Sequence, residues 1–194
     1  MKYLKMIGLA AVAAAALMAF AGIASAETTL CKDKKGTECY GAGTEVKSSL
    51  ESGTKAVLDP SGFFAETVEC SESTVAGKVE TATTASGKGT SLTFGGCNFP
   101  VATDNPGSIS LHATSSGNGT LKTSGVEVTV EQSGLNCKFG GNVSLEFKGG
   151  EMATANASKV TVEGLSGFPC PSSSTWTAKY TVTSPEPAFA VSGV

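Results

Sequence analysis

The sequence predicts an all-β domain: an antiparallel β-sandwich of jelly-roll or immunoglobulin-like type, or a barrel, stapled by disulfides. Short segments with a two-residue apolar period recur between turns rich in Gly, Pro, Asn and Asp. No convincing stretch has the helical period of 3.6 residues. The chain also contains six cysteines, an even number that suits three disulfides in an oxidising compartment.

The first 26 residues have the three parts of a secretory signal. Lys2 and Lys5 precede an apolar run over residues 6–23, and residues 24–26 read Ala-Ser-Ala, an A-x-A cleavage site. The alternative is that the apolar run stays in place as a membrane anchor, and this segment is then the only expected membrane contact. We therefore predict a secreted, extracellular protein.

The remaining chain fits one domain that is long enough to bury a core. We expect residues 27–43 to form an N-terminal loop that contains two cysteines, residues 44–184 to form a single β-sandwich domain, and residues 185–194 to form a C-terminal tail. No second domain is required.

Within that domain the alternation of apolar and polar residues marks the strands. Residues 126–131 give the clearest case, because Val126, Val128 and Val130 share one face while the intervening residues are polar. The segments with this pattern, in chain order, are 44–50, 63–69, 74–81, 91–94, 108–114, 126–131, 142–147, 158–163 and 175–183.

Turn sequences separate these segments: DPSG at 59–62, SGKG at 86–89, DNPG at 104–107, SGNG at 116–119 and KGG at 148–150. A disordered stalk rich in Ser, Thr and Gly is the alternative. The repeated two-residue period and the six cysteines argue against it.

The six cysteines allow fifteen pairings. Pairing of sequence neighbours is our hypothesis, and for the middle pair a hairpin around residues 86–89 would bring the two cysteines to its open end. A metal site would need close pairs such as C-x-x-C or histidine partners, and the only histidine is His112. We therefore predict no metal and no cofactor. The hypothetical disulfides are Cys31–Cys39, Cys70–Cys97 and Cys137–Cys170.

Charge argues against nucleic-acid binding. The chain has a formal net charge of −3, and all fourteen of its positively charged residues are lysines. Arginine supplies the planar fork that recognises phosphate and guanine in pairs of hydrogen bonds. Without arginine, and with no basic cluster beyond the KDKK segment at 32–35, we expect no nucleic-acid partner.

No catalytic constellation is evident, so we predict that the protein is not an enzyme. A serine or cysteine hydrolase would have to use His112, which falls on the polar face of its strand, and no G-x-S-x-G motif occurs. Glu127 and Glu131 share a strand face but lie about 13 Å apart at roughly 3.3 Å per residue, which is too far for a glycosidase pair. Other carboxylate pairs could converge across strands.

Few residues suggest a binding surface. Trp176 and Tyr180 fall on the apolar side of their strand, so we assign them to the core rather than to a carbohydrate platform. Phe63 and Phe64, beside the DPSG turn, are the better candidates for an exposed apolar contact. The DNPG segment lacks the further ligands of a calcium loop and is interpreted as a turn.

Four segments carry a resemblance: IGLAAVAAAALMAF (7–20), SLTFGGC (91–97), GTLKTSGVEVTV (119–130) and YTVTSPEP (180–187), with a first cysteine close to the cleavage site. In these the chain resembles a group of uncharacterised secreted six-cysteine proteins found as multiple paralogues in high-GC Gram-positive bacteria. The resemblance implies export and a cysteine-stapled β domain. It implies no activity and no functional residues.

These observations lead to an expected function that is only general. We expect a secreted or cell-surface structural or binding module without enzymatic activity. The alternative is a secreted carbohydrate-binding or carbohydrate-active protein. The partner is unknown, with a cell-wall or extracellular glycan or a protein as the candidates.

Overall fold

The computed structural model describes residues 27–60 and 66–193; the predicted signal segment at 1–26, Phe63 and Phe64 lie outside these ranges. The described chain is all-β and antiparallel, as predicted. No helix in these ranges is long and apolar enough to cross a membrane. The strands are β1 (Thr28–Cys31), β2 (Glu45–Leu50), β3 (Ala56–Pro60), β4 (Val68–Thr81), β5 (Ser86–Cys97), β6 (Val101–Asn105), β7 (Ser108–Ser115), β8 (Asn118–Gln132), β9 (Leu135–Lys148), β10 (Thr154–Gly164), β11 (Ser173–Ser184) and β12 (Phe189–Ser192).

Most of these strands form a barrel-like sheet with eight positions around its wall. The order is β10, β9, β8, β7, β5, β4, β2 and β11, and the pairing of β11 with β10 closes the ring. At two of the eight positions, two short strands lie end to end in place of one long strand. β3 continues β2 between β4 and β11, and β6 continues β7 along β8. Of the predicted forms, the barrel is therefore the one observed.

The predicted alternation directs apolar side chains into this barrel. On β11, Ala178, Tyr180 and Val182 are buried, and Trp176 packs against the same core. On β8, Val130 is buried and stands opposite Cys137 of β9. Since successive side chains of a strand point to opposite faces, the Thr-rich partners of these residues face solvent.

The two chain ends differ from the prediction. We expected a loop at 27–43 and a tail at 185–194, but each contains a strand, and β1 pairs with β12 in a separate two-stranded sheet. We call this sheet the terminal cap. Its Leu30 and Ala190, together with Ala188 just before β12, pack against Leu111 and Phe147 of the barrel. Both strands have only four residues and are mostly buried, so the local sequence shows no alternation.

The cap covers one end of the barrel, which we call the capped end. There Ala188, just before β12, forms an isolated β-bridge with Gly150 of the β9–β10 connection, and Ala190 of the cap forms one with Gly117 of the β7–β8 connection. The turn between β4 and β5 also lies at the capped end, because β4 ends there and β5 begins there. The opposite end carries the β8–β9 turn and the β10–β11 loop.

Three disulfides are present, and they join the hypothesised sequence neighbours. Cys70 and Cys97 stand directly opposite each other where the β4–β5 hairpin opens. The Cys137–Cys170 bridge ties β9 to the β10–β11 loop at the same end, which we call the disulfide end. No described cysteine is free.

The third disulfide, between Cys31 and Cys39, closes a loop that is organised by Asp33. The backbone N–H groups of Lys35, Thr37 and Glu38 donate to its carboxylate, and so does the Thr37 hydroxyl. These hydrogen bonds, that of the Thr37 hydroxyl above all, hold the pKa of Asp33 well below its usual range. The loop expected around these cysteines is therefore an ordered turn that leads out of the cap.

Candidate functional site: the barrel interior

The barrel interior contains two adjoining cavities. The first, about 140 Å³, lies toward the disulfide end, where Val130, Phe139 and Trp176 are among its lining residues. The second, about 160 Å³, lies toward the capped end and is lined in part by Leu30 and Phe147. Five residues line both cavities and so mark the waist between them: Val75, Ile109, Thr123, Leu145 and Tyr180.

Small inward-facing residues explain why the space stays unfilled. An eight-stranded barrel has an interior that side chains can just fill, or that can hold one small ligand. Here β10 directs only Ala155 and Ala157 into the middle of the barrel, and both are buried. β4 contributes Val75 and Gly77. These side chains are too short to meet across the interior.

The barrel wall is weakest between β5 and β6. β5 pairs with β7 only over Ser86–Lys88, and in the described chain β5 and β6 form no ladder with each other. Among residues 27–60 and 66–193, one side-chain hydrogen bond crosses this seam: the Thr103 hydroxyl donates to the Leu92 carbonyl oxygen at 2.8 Å. Leu92, Phe94 and Val101 line the first cavity at this seam and are only half-buried.

A second irregularity lies between β9 and β10. Their pairing skips from Asn156 opposite Glu146 to Glu163 opposite Gly140. On its other side, Gly140 packs so closely against β8 that a Cβ atom at this position would collide with the Val126 carbonyl oxygen. The pairing resumes beyond this gap, whereas β5 and β6 have no described ladder at all.

Two buried hydroxyl positions interrupt the apolar interior. At the waist, Tyr180 and Ser73 share a hydrogen bond of 3.0 Å between their hydroxyl oxygens. Burial raises the pKa of Tyr180, and the bond to Ser73 offsets this only in part. Nearer the disulfide end, the hydroxyl of Ser174 is buried without a hydrogen-bond partner.

The shared bond of Tyr180 yields a stability prediction. Tyr180→Phe should lower the free energy of unfolding by about 1 to 3 kcal/mol, because it leaves the Ser73 hydroxyl buried and unpaired. Urea denaturation measures this loss. Adding Ser73→Ala should recover most of it, since both polar groups are then gone. A double variant no more stable than Tyr180→Phe alone would contradict this explanation.

The pH dependence follows from the same residue. Because its folded pKa lies above the unfolded value of about 10, Tyr180 contributes stability that is complete below about pH 10. That contribution is lost as the pH rises through the folded pKa. Between about pH 9 and pH 11, a range that brackets the ordinary Tyr pKa of about 10, the free energy of unfolding should therefore fall less for Tyr180→Phe than for the wild type.

The other candidates lie on the outer surface. His112 is exposed on β7, with Ser110 as its nearest partner at 3.4 Å. Asp104 accepts a hydrogen bond from Thr129 at 2.6 Å and pairs with Lys138 at 3.3 Å. The Thr129 hydroxyl, together with Lys138, lowers the pKa of Asp104. Within residues 27–60 and 66–193, no His, Cys, Asp and Glu side chains form a group that could hold a metal ion.

The predicted aromatic residues divide between two outcomes. Trp176 and Tyr180 belong to the core, and Trp176 meets Phe94 edge to face with ring centroids 5.8 Å apart. They therefore offer no surface platform for a sugar. Phe63 and Phe64 lie outside the described residues. Sequence reasoning missed the cavities themselves, because their volume depends on which strands close the ring.

Comparison with protein-family models, with characterised proteins and with solved structures finds no match for this chain. Its function has to be inferred from the geometry of the barrel.

Proposed function

We propose that the protein is a non-enzymatic binding module that holds a small apolar molecule inside its barrel. The observation that carries this proposal is the pair of adjoining apolar cavities. An apolar cavity of about 150 Å³ stays dry and can bind benzene. The two cavities together therefore offer room for a molecule larger than one ring.

The cost of empty space supports this proposal. Protein interiors are close-packed and contain few voids larger than a water molecule. The side chains that line cavities of 140 and 160 Å³ lack the packing contacts that a close-packed interior provides. A bound apolar ligand would restore much of this packing energy.

The three disulfides indicate an oxidising environment. Together with the signal sequence at 1–26, they support a site of action outside the cytoplasm, secreted or at the cell surface. Membership of the secreted six-cysteine group from high-GC Gram-positive bacteria is part of the same proposal. The absence of enzymatic activity is proposed because His112 lies on the outer face, away from the cavities.

Binding of 1-aminoanthracene, a neutral apolar fluorophore, tests the proposal on the oxidised protein. We expect saturable binding of one molecule with enhanced dye fluorescence. Val75→Phe, which fills the waist, should weaken this binding about tenfold or more, since overpacking a site costs about 1 to 3 kcal/mol. Val75 lines both cavities, so neither should remain unaffected.

The matched control is Glu80→Phe, which adds the same ring to the exposed face of the same strand. It should leave dye binding unchanged. Circular dichroism verifies that both variants fold. Absence of saturable binding to the wild type, or equal binding to Val75→Phe, would overturn the proposal.

A further inference from the structure

We propose that the ligand is an apolar molecule with a hydrogen-bond-accepting oxygen at its centre, which the buried hydroxyl pair of Tyr180 and Ser73 binds at the waist. The apolar groups on either side of that oxygen then occupy one cavity each. This inference rests on the proposed function and specifies the ligand class. A ketone between two apolar groups has this chemistry, whereas a pure hydrocarbon lacks it.

The alternation of the strands places both hydroxyl groups of this pair inside the barrel. Ser73 shares the inner face of β4 with Val75, which is two residues further along the strand. Tyr180 likewise shares the inner face of β11 with the buried Ala178. Val75 and Tyr180 line both cavities, and Ser73 is 3% exposed. The pair therefore lies at the waist, on the inner side of the wall.

The Tyr180 side chain reaches Ser73 along the inner surface of the wall. Leu50 of β2 stands opposite Tyr180, and β2 separates β11 from β4 in the ring. Tyr180 therefore crosses β2 to bring its hydroxyl oxygen within 3.0 Å of that of Ser73. Leu50 lines neither cavity, whereas Tyr180 lines both. The Tyr180 side chain thus covers this part of β2 and faces the cavities in its place.

The hydroxyl pair has one more proton than its shared hydrogen bond can use. Each hydroxyl carries one proton and two acceptor lone pairs. One bond joins the two groups, and neither Tyr180 nor Ser73 makes another side-chain hydrogen bond within the described ranges. One proton is therefore left without an acceptor in an apolar interior, where an unmet hydrogen-bonding group is costly. An oxygen atom of a ligand at the waist would accept this proton in a hydrogen bond.

A further hydroxyl group makes the waist polar on its other side. Thr123 of β8 lines both cavities, and β8 lies opposite β2 in the ring of eight positions. Away from the waist, aromatic side chains contribute to the lining, with Phe139 in the first cavity and Phe147 in the second. Polar groups thus flank the middle of the interior, which favours a ligand whose polar atom lies between two apolar groups.

The size of each cavity suits one phenyl ring. An apolar cavity of about 150 Å³ can bind benzene. The two cavities have volumes of about 140 and 160 Å³, and they adjoin at Tyr180. A ketone that joins two rings can therefore place one ring in each cavity and its oxygen at the waist. Benzophenone has this shape, and diphenylmethane has the same two rings without the oxygen.

Displacement of 1-aminoanthracene by these two compounds tests the inference on the oxidised protein. The quantity compared is the dissociation constant of diphenylmethane divided by that of benzophenone, because the hydration of the free compounds contributes equally to this ratio in every variant. In Tyr180→Phe combined with Ser73→Ala, the ratio should fall about three- to tenfold relative to the wild type, as expected for one lost hydrogen bond.

The matched control is Tyr40→Phe, which removes a tyrosine hydroxyl away from the cavities. Tyr40 lines neither cavity, and its hydroxyl donates to the Pro187 carbonyl oxygen at 2.7 Å. This variant should keep the ratio of the wild type. Circular dichroism verifies that the control and the double variant fold.

A second measurement needs no variant. We expect the ¹³C resonance of carbonyl-labelled benzophenone, bound to the wild type, to lie downfield of its position in cyclohexane, because the oxygen accepts a hydrogen bond. A bound resonance equal to that in cyclohexane would overturn the inference and leave the proposed function intact. So would an unchanged ratio in the double variant, or bound dye that benzophenone fails to displace. If the dye itself does not bind to the wild type, the proposed function is wrong.

Discussion

Phe147→Ala is expected to lower the free energy of unfolding by about 3 to 5 kcal/mol, because it removes a buried aromatic side chain where the barrel meets the cap. Phe147 is 3% exposed and packs in one cluster with Leu30 and Ala190 of the cap. It also lines the second cavity, so its loss enlarges a space that is already unfilled. To compensate, the surrounding side chains would have to collapse into the second cavity as well as into the space that Phe147 leaves.

Urea denaturation of the oxidised protein measures this change as a shift of the midpoint at constant slope. Leu135→Ala is the matched control, because Leu135 is 41% exposed in the β8–β9 turn region and should cost about 0.5 kcal/mol or less. A cost for Phe147→Ala no larger than that of the control would show that the cap does not pack on the barrel as described.

The second large effect is expected from Cys70→Ala combined with Cys97→Ala. The bridge closes a loop with a sequence separation of 27. The loss of such a cross-link releases entropy in the unfolded chain, worth about 3.5 kcal/mol by the loop-length relation. The free energy of unfolding should fall by about that amount in the double variant, as measured with urea.

The Cys31–Cys39 bridge provides the control for loop length. Its sequence separation is 8, and the same relation gives about 2.5 kcal/mol for removing it. The Cys70–Cys97 variant should therefore be the less stable of the two by about 1 kcal/mol. The reverse order would mean that native contacts around the bridges, rather than loop entropy, determine their effect.

Local pattern explains how much of the fold the sequence predicts. Alternation placed Val126, Val128 and Val130 on one face of β8, and Trp176 and Tyr180 on the inner face of β11. This information is local, because a strand's two faces are set by neighbouring residues. The even cysteine count and the spacing of neighbours likewise led to the three pairs that the structure contains.

Long-range pairing accounts for what was missed. The ring closes because β11 pairs with β10 on one side and with β2 on the other, and Tyr180 stands opposite both Ala155 and Leu50. No feature of the sequence near β2 indicates that β11 is its partner. The sequence therefore could not distinguish a sandwich from a barrel. The volume of the interior depends on this closure, and the cavities were therefore beyond prediction as well.

The terminal cap has a mechanical consequence. Thr28 pairs with Ser192, and the Gly193 N–H donates to the Glu27 carbonyl oxygen at 2.9 Å, so the first and last described residues lie side by side. A force that pulls the two ends apart would act first on the Thr28–Ser192 end of the β1–β12 ladder. The hydrogen bonds of the ladder would then break in sequence from that end. Leu30 and Ala188, which line the second cavity, would come away with it. Tension on the chain ends would thus separate β1 from β12 at the capped end before the strands bridged by Cys70–Cys97 carry any load.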